Sequence, residues 1–258
     1  MVRAKKNDAN TKFGVLFDFD GTLIDSFTCR PLAHAEVAKV LTTFEREQGL
    51  VVSEEAMVSI LSVLEDEMTV KCIYDRKIWF SEAIKRHCGL SISMPETILA
   101  MAITCYWETI ISNSFLYPHV KELLVYLKKT VSLGIVSDTD GPIGMKNRRI
   151  HESGIHNFFD AIVVSGENAN ELKPSAQPFA QICQLLGVLP VNCVYIGDNP
   201  NVDIIGAKEL GIKTVIIKNS SVCSATKICP DFFLNRDSFD QIKALIEDCL
   251  KNKVQCDS

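Results

Sequence analysis

From residue 27 to about 117, apolar side chains recur at the three-to-four-residue spacing of helices, glycines are nearly absent and β-branched runs are short. LAHAEVAKVLTTFE, EEAMVSILSVLEDEM, DRKIWFSEAIKRH and ETILAMAITCYWETII each read as an amphipathic or buried helix, so the stretch predicts about four. Ser53 ahead of Glu54 and Glu55 marks one start, because acids in a first turn complement the helix dipole. Outside this block the pattern alternates. Short apolar runs at 13–17, 131–137, 160–166, 192–198, 212–219 and 231–234 read as strands. The intervening VKELLVYLKK, GPIGMKNRRIHES, SAQPFAQICQLLG and VDIIGAKELG, and the final SFDQIKALIEDCL, read as helices. Such alternation predicts an α/β fold, a Rossmann-like parallel sheet with helices on both faces. The run at 13–17 belongs to that set, so the helical block is an insertion. Residues 1–26 and 118–258 form the α/β core, 27–117 the all-helical insertion, and residues 1–12 a loose arm.

Composition narrows the setting. The chain has 258 residues, 47% of them apolar, and a net charge of −5. Mild acidity argues against a nucleic-acid or anionic-membrane partner, and Lys5 and Lys6 read as a solvated tail. No apolar run approaches the ~20 residues of a membrane span. The start, MVRAKKNDANTK, lacks the apolar core of a secretory signal. The ten cysteines, including Cys105, Cys193 and Cys223, form no C-x-x-C pair and read as reduced, small core residues. Together these features predict a cytoplasmic protein, monomer or homodimer.

In a parallel α/β sheet, ligands bind beyond the carboxyl ends of the strands. The residues there are Asp18-Phe19-Asp20-Gly21-Thr22 after the first run, Ser137-Asp138 after the second, Lys173-Pro174 after the third, and Gly197-Asp198 with Asp203 after the fourth. If strand alternation continues past 17, Asp18 and Asp20 point the same way and their repulsion calls for a proton or a cation. Oxygen-only ligands suggest Mg²⁺. Ser137 can donate to, and Lys173 neutralise, phosphate oxygens. Each has an ordinary reading beside it. Asp-Gly is a common turn pair, Asp138 and Asp140 can cap or turn, Lys173 can be a loop lysine, and Asp203 can complement a helix start.

DFDGTLIDS (18–26), IVSD (135–138), ELKPSAQPF (171–179) and GDNPNVDIIGA (197–207), in that order, resemble the four motifs of the haloacid dehalogenase superfamily. The resemblance covers nearly all of the chain and is closest to small-metabolite phosphatases with a helical C1-type cap. It implies a Mg²⁺-dependent phosphomonoester hydrolase working through an aspartyl-phosphate. Asp18 would be the nucleophile, and Asp20 the general acid and then base. Ser137, Asp138 and Lys173 would bind the phosphoryl group, with Lys173 also offsetting the charge of Asp18. Asp18, the Asp20 backbone carbonyl and Asp198 would hold the metal, with Asp203 as ligand or support. The insertion would be the cap that closes over the site. The substrate implied is a small phosphorylated metabolite: a nucleotide, sugar phosphate or phosphoglycolate-like ester.

Other functions stay open on the same residues. A phosphomutase also needs both aspartates. A dehalogenase has no use for an acid at Asp20. Phosphonate cleavage would need a cap lysine such as Lys71 or Lys77. A non-catalytic binding protein would gain nothing from clustered carboxylates. Arg30, Lys71, Arg76, Lys77, Lys85 and Arg86 read as solvated helix faces or substrate contacts, Trp79 and Trp107 as core, and the scattered histidines as surface or packing residues.

Overall fold

A computed structural model describes residues 12–89, 92–218, 229–235 and 239–256. Most of the N-terminal arm, with Lys5 and Lys6, lies outside the described residues, as does Cys223. The chain divides into two compact units: one of the residues up to Asp25, Leu116–Asp138 and those from Lys146 onward, the other of Ser26–Phe115 with Thr139–Met145.

In the first unit, β1 (Gly14–Phe17) is followed by a two-residue strand, β2 (Ile24–Asp25). The helices α1 (Arg30–Glu47), α2 (Glu54–Val70), α3 (Arg76–Cys88) and α4 (Glu96–Asn113) belong to the second unit. The chain returns through β3 (Phe115–Leu116), which pairs with β2, and continues with α5 (Val120–Leu127), β4 (Ser132–Asp138), α6 (Met145–Glu152) and β5 (Ala161–Ser165). Then come α7 (Gln177–Leu186), β6 (Cys193–Gly197), α8 (Pro200–Asp203), α9 (Ile205–Glu209), β7 (Lys213–Lys218), β8 (Phe232–Asn235) and α10 (Phe239–Cys256).

Six strands form one parallel sheet in the order β5-β4-β1-β6-β7-β8. The period of two along β1 sorts the core. Val15 and Phe17 join the helices α5 and α10 on one face, whereas Leu16 packs with Phe179 and Ile182 of α7 on the other. Burial on both faces explains why the strands read as nearly continuous apolar runs. β1 lies between β4 and β6, with Phe17 in register with Ile135 and Ile196. The residue after Phe17 is thus delivered to the middle of the sheet's carboxyl edge.

VDIIGAKELG reads as one helix but forms two, broken at Ile204. A Cβ on Gly206 would stand 2.4 Å from the backbone carbonyl oxygens of both Pro174 and Ser175, so α9 seats directly on the loop that carries Lys173.

The helical unit matches the four helices read from the pattern. Ser53 caps α2 by accepting the Ala56 N–H at 3.2 Å. Trp79 and Trp107 are buried. Arg76, read as a solvated or substrate-facing cation, is buried instead, its guanidinium 3.4 Å from the centroid of the Trp79 ring. It belongs to a charge cluster around Glu65, which pairs with His34 at 2.8 Å and Arg30 at 3.2 Å and accepts from Tyr106 at 3.0 Å. Burial alone would raise the Glu65 pKa, but the His34 hydrogen bond and the two arginines hold it down at about 2. His87 likewise pairs with buried Glu45 at 2.8 Å. Among the described residues no helix is long and apolar enough to cross a membrane. Among the described residues Cys29, Cys183, Cys193 and Cys249 are free thiols in the core as read, but the free thiols Cys72 and Cys229 are exposed.

Gly206→Ala tests the close approach of α9. Two backbone oxygens cannot yield as a flexible side chain would, so the substitution should cost about 2–3 kcal/mol, a fall of roughly 4–10 °C in Tm. An unchanged melting curve would contradict the packing described.

Candidate active site

Asp18 is the first residue past β1, and its N–H donates to the Ile196 carbonyl at 2.9 Å, which holds it against β6. Its side chain is buried and meets that of Lys173, whose ammonium donates to Asp18 Oδ1 at 2.7 Å and Asp203 Oδ1 at 2.8 Å. The Tyr195 hydroxyl lies 3.1 Å from Lys173 Nζ and 2.9 Å from Asp203 Oδ1, tying both to the middle of β6. Asp203 Oδ2 accepts the Asn199 N–H at 2.9 Å. Gly197 makes room for this, since a Cβ there would stand 2.4 Å from Asp203 Oδ2. The Lys173 backbone is placed by Asp138, whose Oδ1 accepts the Lys173 N–H at 3.0 Å.

Electrostatics follow from this geometry. Burial would depress the Lys173 pKa, but Asp18 and Asp203 more than reverse that and keep the ammonium protonated. Burial pushes Asp18 the other way, up to about 6; Lys173 pulls it back and Asp203 adds to the rise. Ligand oxygens of Asp18, Asp198 and Asp203 all lie within 4.8 Å of one another. One ammonium among three carboxylates leaves surplus negative charge, and the donor set is oxygen only. That combination fits a hard divalent cation. Asp203 accepts at both oxygens, from Lys173 and Tyr195 at Oδ1 and from the Asn199 N–H at Oδ2.

The structure gathers Asp18, Lys173, Asp198 and Asp203 in one cluster and brings Ser137, buried at the end of β4, to the same sheet edge. Asp20 takes other partners. Strand geometry stops at Phe17, and a turn follows, closed by Leu23 N–H and Ile24 N–H to the Phe19 carbonyl; the Asp20 charge still adds to the rise of the Asp18 pKa. Asp20 accepts instead from Lys146 and from both terminal nitrogens of Arg149, one of them at 3.1 Å. Burial would raise the Asp20 pKa, but these two cations hold it well below the usual carboxylate range. Tyr195, Lys146 and Arg149 are the residues missed from sequence. A lone tyrosine inside the apolar NCVYIGD and two cations three apart on the helix after Ser137-Asp138 were the available signals.

Removing the central ammonium should expose its structural weight. Lys173→Met leaves buried carboxylates facing one another and should destabilise the protein by about 3–5 kcal/mol, the scale for breaking a buried ion pair. Denaturant titration reads the loss, and a variant as stable as the parent would show that the cluster is not desolvated as described.

A family model described as haloacid dehalogenase-like hydrolase matches residues 14–211. N-acylneuraminate-9-phosphatase of Rattus norvegicus is 32% identical over 80% of this chain and 82% of its own. The Homo sapiens protein of that name is 30% identical over 91% and 94%. Glyceraldehyde 3-phosphate phosphatase of Methanocaldococcus jannaschii is 30% identical over 79% and 84%. Among solved structures, a HAD phosphatase from Thermococcus onnurineus aligns with a TM-score of 0.64 at 23% identity, covering 90% of this chain and 97% of that one. A 2-haloacid dehalogenase from Pseudomonas syringae aligns at 0.63 and 21%, covering 90% and 98%; at these identities the likeness speaks for the fold. Motifs, sheet and relatives agree, and the chain belongs to the haloacid dehalogenase-like hydrolases.

Proposed function

We propose that this chain is a Mg²⁺-dependent phosphatase that hydrolyses a small phosphorylated metabolite through an aspartyl-phosphate on Asp18. The observation that carries the reading is the buried Asp18–Lys173–Asp203 cluster with Asp198 beside it, at the carboxyl edge of a parallel sheet. Buried charges are costly to desolvate, and well-packed apolar residues would serve stability as well, which supports a functional reason for the cluster. The relatives named above are phosphatases of an acylneuraminate phosphate and of glyceraldehyde 3-phosphate, and phosphoglycolate phosphatase of Salmonella choleraesuis is 27% identical over 78% of this chain. These names support a small, soluble phosphate ester as substrate. We read the helical unit as the family's cap.

Asp18 attacks phosphorus, and the bond to the leaving oxygen breaks as that oxygen takes a proton from Asp20. Water then attacks the phosphorus of the acyl phosphate, Asp20 takes a proton from that water, and the Asp18 carboxylate is released with inorganic phosphate. Lys173 keeps Asp18 oriented and offsets its charge, and Ser137 donates to a phosphoryl oxygen. Asp18, the Asp20 carbonyl and Asp198 would hold Mg²⁺, supported by Asp203; the ion supplies charge neutralisation that lets an anionic nucleophile meet an anionic phosphate.

Asp18→Asn should reduce phosphate release to background while the fold, read by circular dichroism, persists. Turnover retained in a verified variant would end the mechanism. Thorough chelation should remove activity and Mg²⁺ restore it, with Asp198→Ala shifting the Mg²⁺ titration to higher concentration. An enzyme indifferent to chelation would rule out the ligand set.

A further inference from the structure

Tyr195 carries a hydroxyl into the core, and packing alone gives no reason for it. The residue is 1% exposed, and its ring meets Phe179 of α7 edge to face, with centroids 4.9 Å apart and planes at 86°. A phenylalanine would fill the same space without desolvating an oxygen, which is costly unless that oxygen is bonded. The hydroxyl lies 3.1 Å from Lys173 Nζ, 2.9 Å from Asp203 Oδ1 and 3.3 Å from the Val136 carbonyl of β4. A phenol has one hydrogen and an ammonium can only donate. The oxygen therefore accepts from Lys173 and gives its own hydrogen to Asp203, the nearer and the charged one of its two acceptors.

These bonds complete the ammonium. Lys173 has three N–H groups, and three acceptors stand around it: Asp18 Oδ1 at 2.7 Å, Asp203 Oδ1 at 2.8 Å and the phenol. The two carboxylates pull on the same cation. The phenol hydrogen on Asp203 Oδ1 satisfies part of that oxygen's demand, which leaves Lys173 shared with Asp18. The phenol is also the fixed member of the group. Asp18 follows β1, Asp203 ends α8 and Lys173 comes from a loop, whereas Tyr195 sits inside β6 with its ring packed. Groups on strands are held more precisely than groups on loops. Lys173 donates to one oxygen of Asp18, so the place of the ammonium decides how that carboxylate is turned. Small misplacements of a reacting group cost large factors in rate.

We propose that Tyr195 is a positioning residue whose hydroxyl holds the Lys173 ammonium where it turns the Asp18 carboxylate toward phosphorus. The inference rests on Asp18 being the nucleophile. Tyr195 acts through Lys173.

Tyr195→Phe removes the oxygen and keeps the ring. The parent, Tyr195→Phe and Val194→Ala are each mixed in saturating excess with 4-nitrophenyl phosphate and Mg²⁺. Acid quenching then follows one turnover, in which the phosphorus–oxygen bond to 4-nitrophenol breaks as the bond to Asp18 forms. With enzyme saturating, this rate constant does not depend on the folded fraction, so lost stability alone leaves it unmoved. Val194, next to Tyr195 in β6, packs in the opposite layer and serves as the control for a weakened strand. Tyr195→Phe should slow phosphorylation of Asp18 by about tenfold, the rate equivalent of one hydrogen bond to a charged group. Val194→Ala should keep the parent's rate constant. Tyr195→Phe reacting as fast as the parent, or Val194→Ala as slow as Tyr195→Phe, would make the hydroxyl merely structural and overturn the proposal. If Tyr195→Phe does not fold, 3-fluorotyrosine placed at 195 keeps ring and hydroxyl but makes the oxygen a poorer acceptor. It should still slow the step, by about threefold; the parent's rate would again overturn the proposal. A parent that releases 4-nitrophenol with no phosphoryl group on Asp18 would end the reading of Asp18 as nucleophile, and this inference with it. A phosphorylated parent beside an unslowed Tyr195→Phe would end this inference alone.

Discussion

A buried ammonium between two carboxylates is the contact on which the site depends. Lys173 comes from the loop after β5, Asp18 from the end of β1 and Asp203 from α8, with Tyr195 of β6 bonded to the group. None of these charges is stable in a dry interior alone, so each loop must hold its place for the others to stay compensated. Asp138 and Asn199 pin the loops from behind, and Gly206 lets α9 lie against the loop that carries Lys173. The sheet order makes this possible, because only a strand between β4 and β6 can present Asp18 to residues from both sides.

The carboxyl edge thus carries two clusters of opposite character. Around Lys173 negative charge is in excess, and the Asp18 pKa rises to about 6 because burial and Asp203 outweigh the ammonium. Around Asp20 two cations meet the carboxylate and hold its pKa well below the usual range. Two carboxylates separated by a single residue are thereby given different surroundings, and burial and the neighbouring charges move their pKa values in opposite directions.

Much of this could be read from the chain. The strands are apolar runs closed by turn residues and the helices keep a clean period, so the sheet and the four inserted helices were legible. The rule that parallel strands offer their carboxyl ends to ligands selected Asp18, Lys173, Asp198 and Asp203. What could not be read depends on tertiary contact. Tyr195 looks like core because it is core, and only its hydroxyl reaches the charges. MKNRRIHE looks like a solvated helix because no local feature tells a cation in water from one buried on a carboxylate. Arg76 was hidden in the same way by the aromatic rings that surround it. The close seat of α9 on the backbone of a loop some thirty residues earlier in the chain is likewise recorded by no local periodicity.

The central claim is that phosphate passes through a covalent bond to Asp18. The direct measurement is acid quenching during turnover with Mg²⁺ and an activated phosphate ester, followed by mass spectrometry of the peptide that contains DFDGT. The account predicts one phosphoryl group on Asp18 that appears within the first turnover, disappears as substrate is exhausted and is labile to hydroxylamine. A phosphoryl group on another residue, or steady turnover with no trapped adduct under conditions that preserve acyl phosphates, would contradict it.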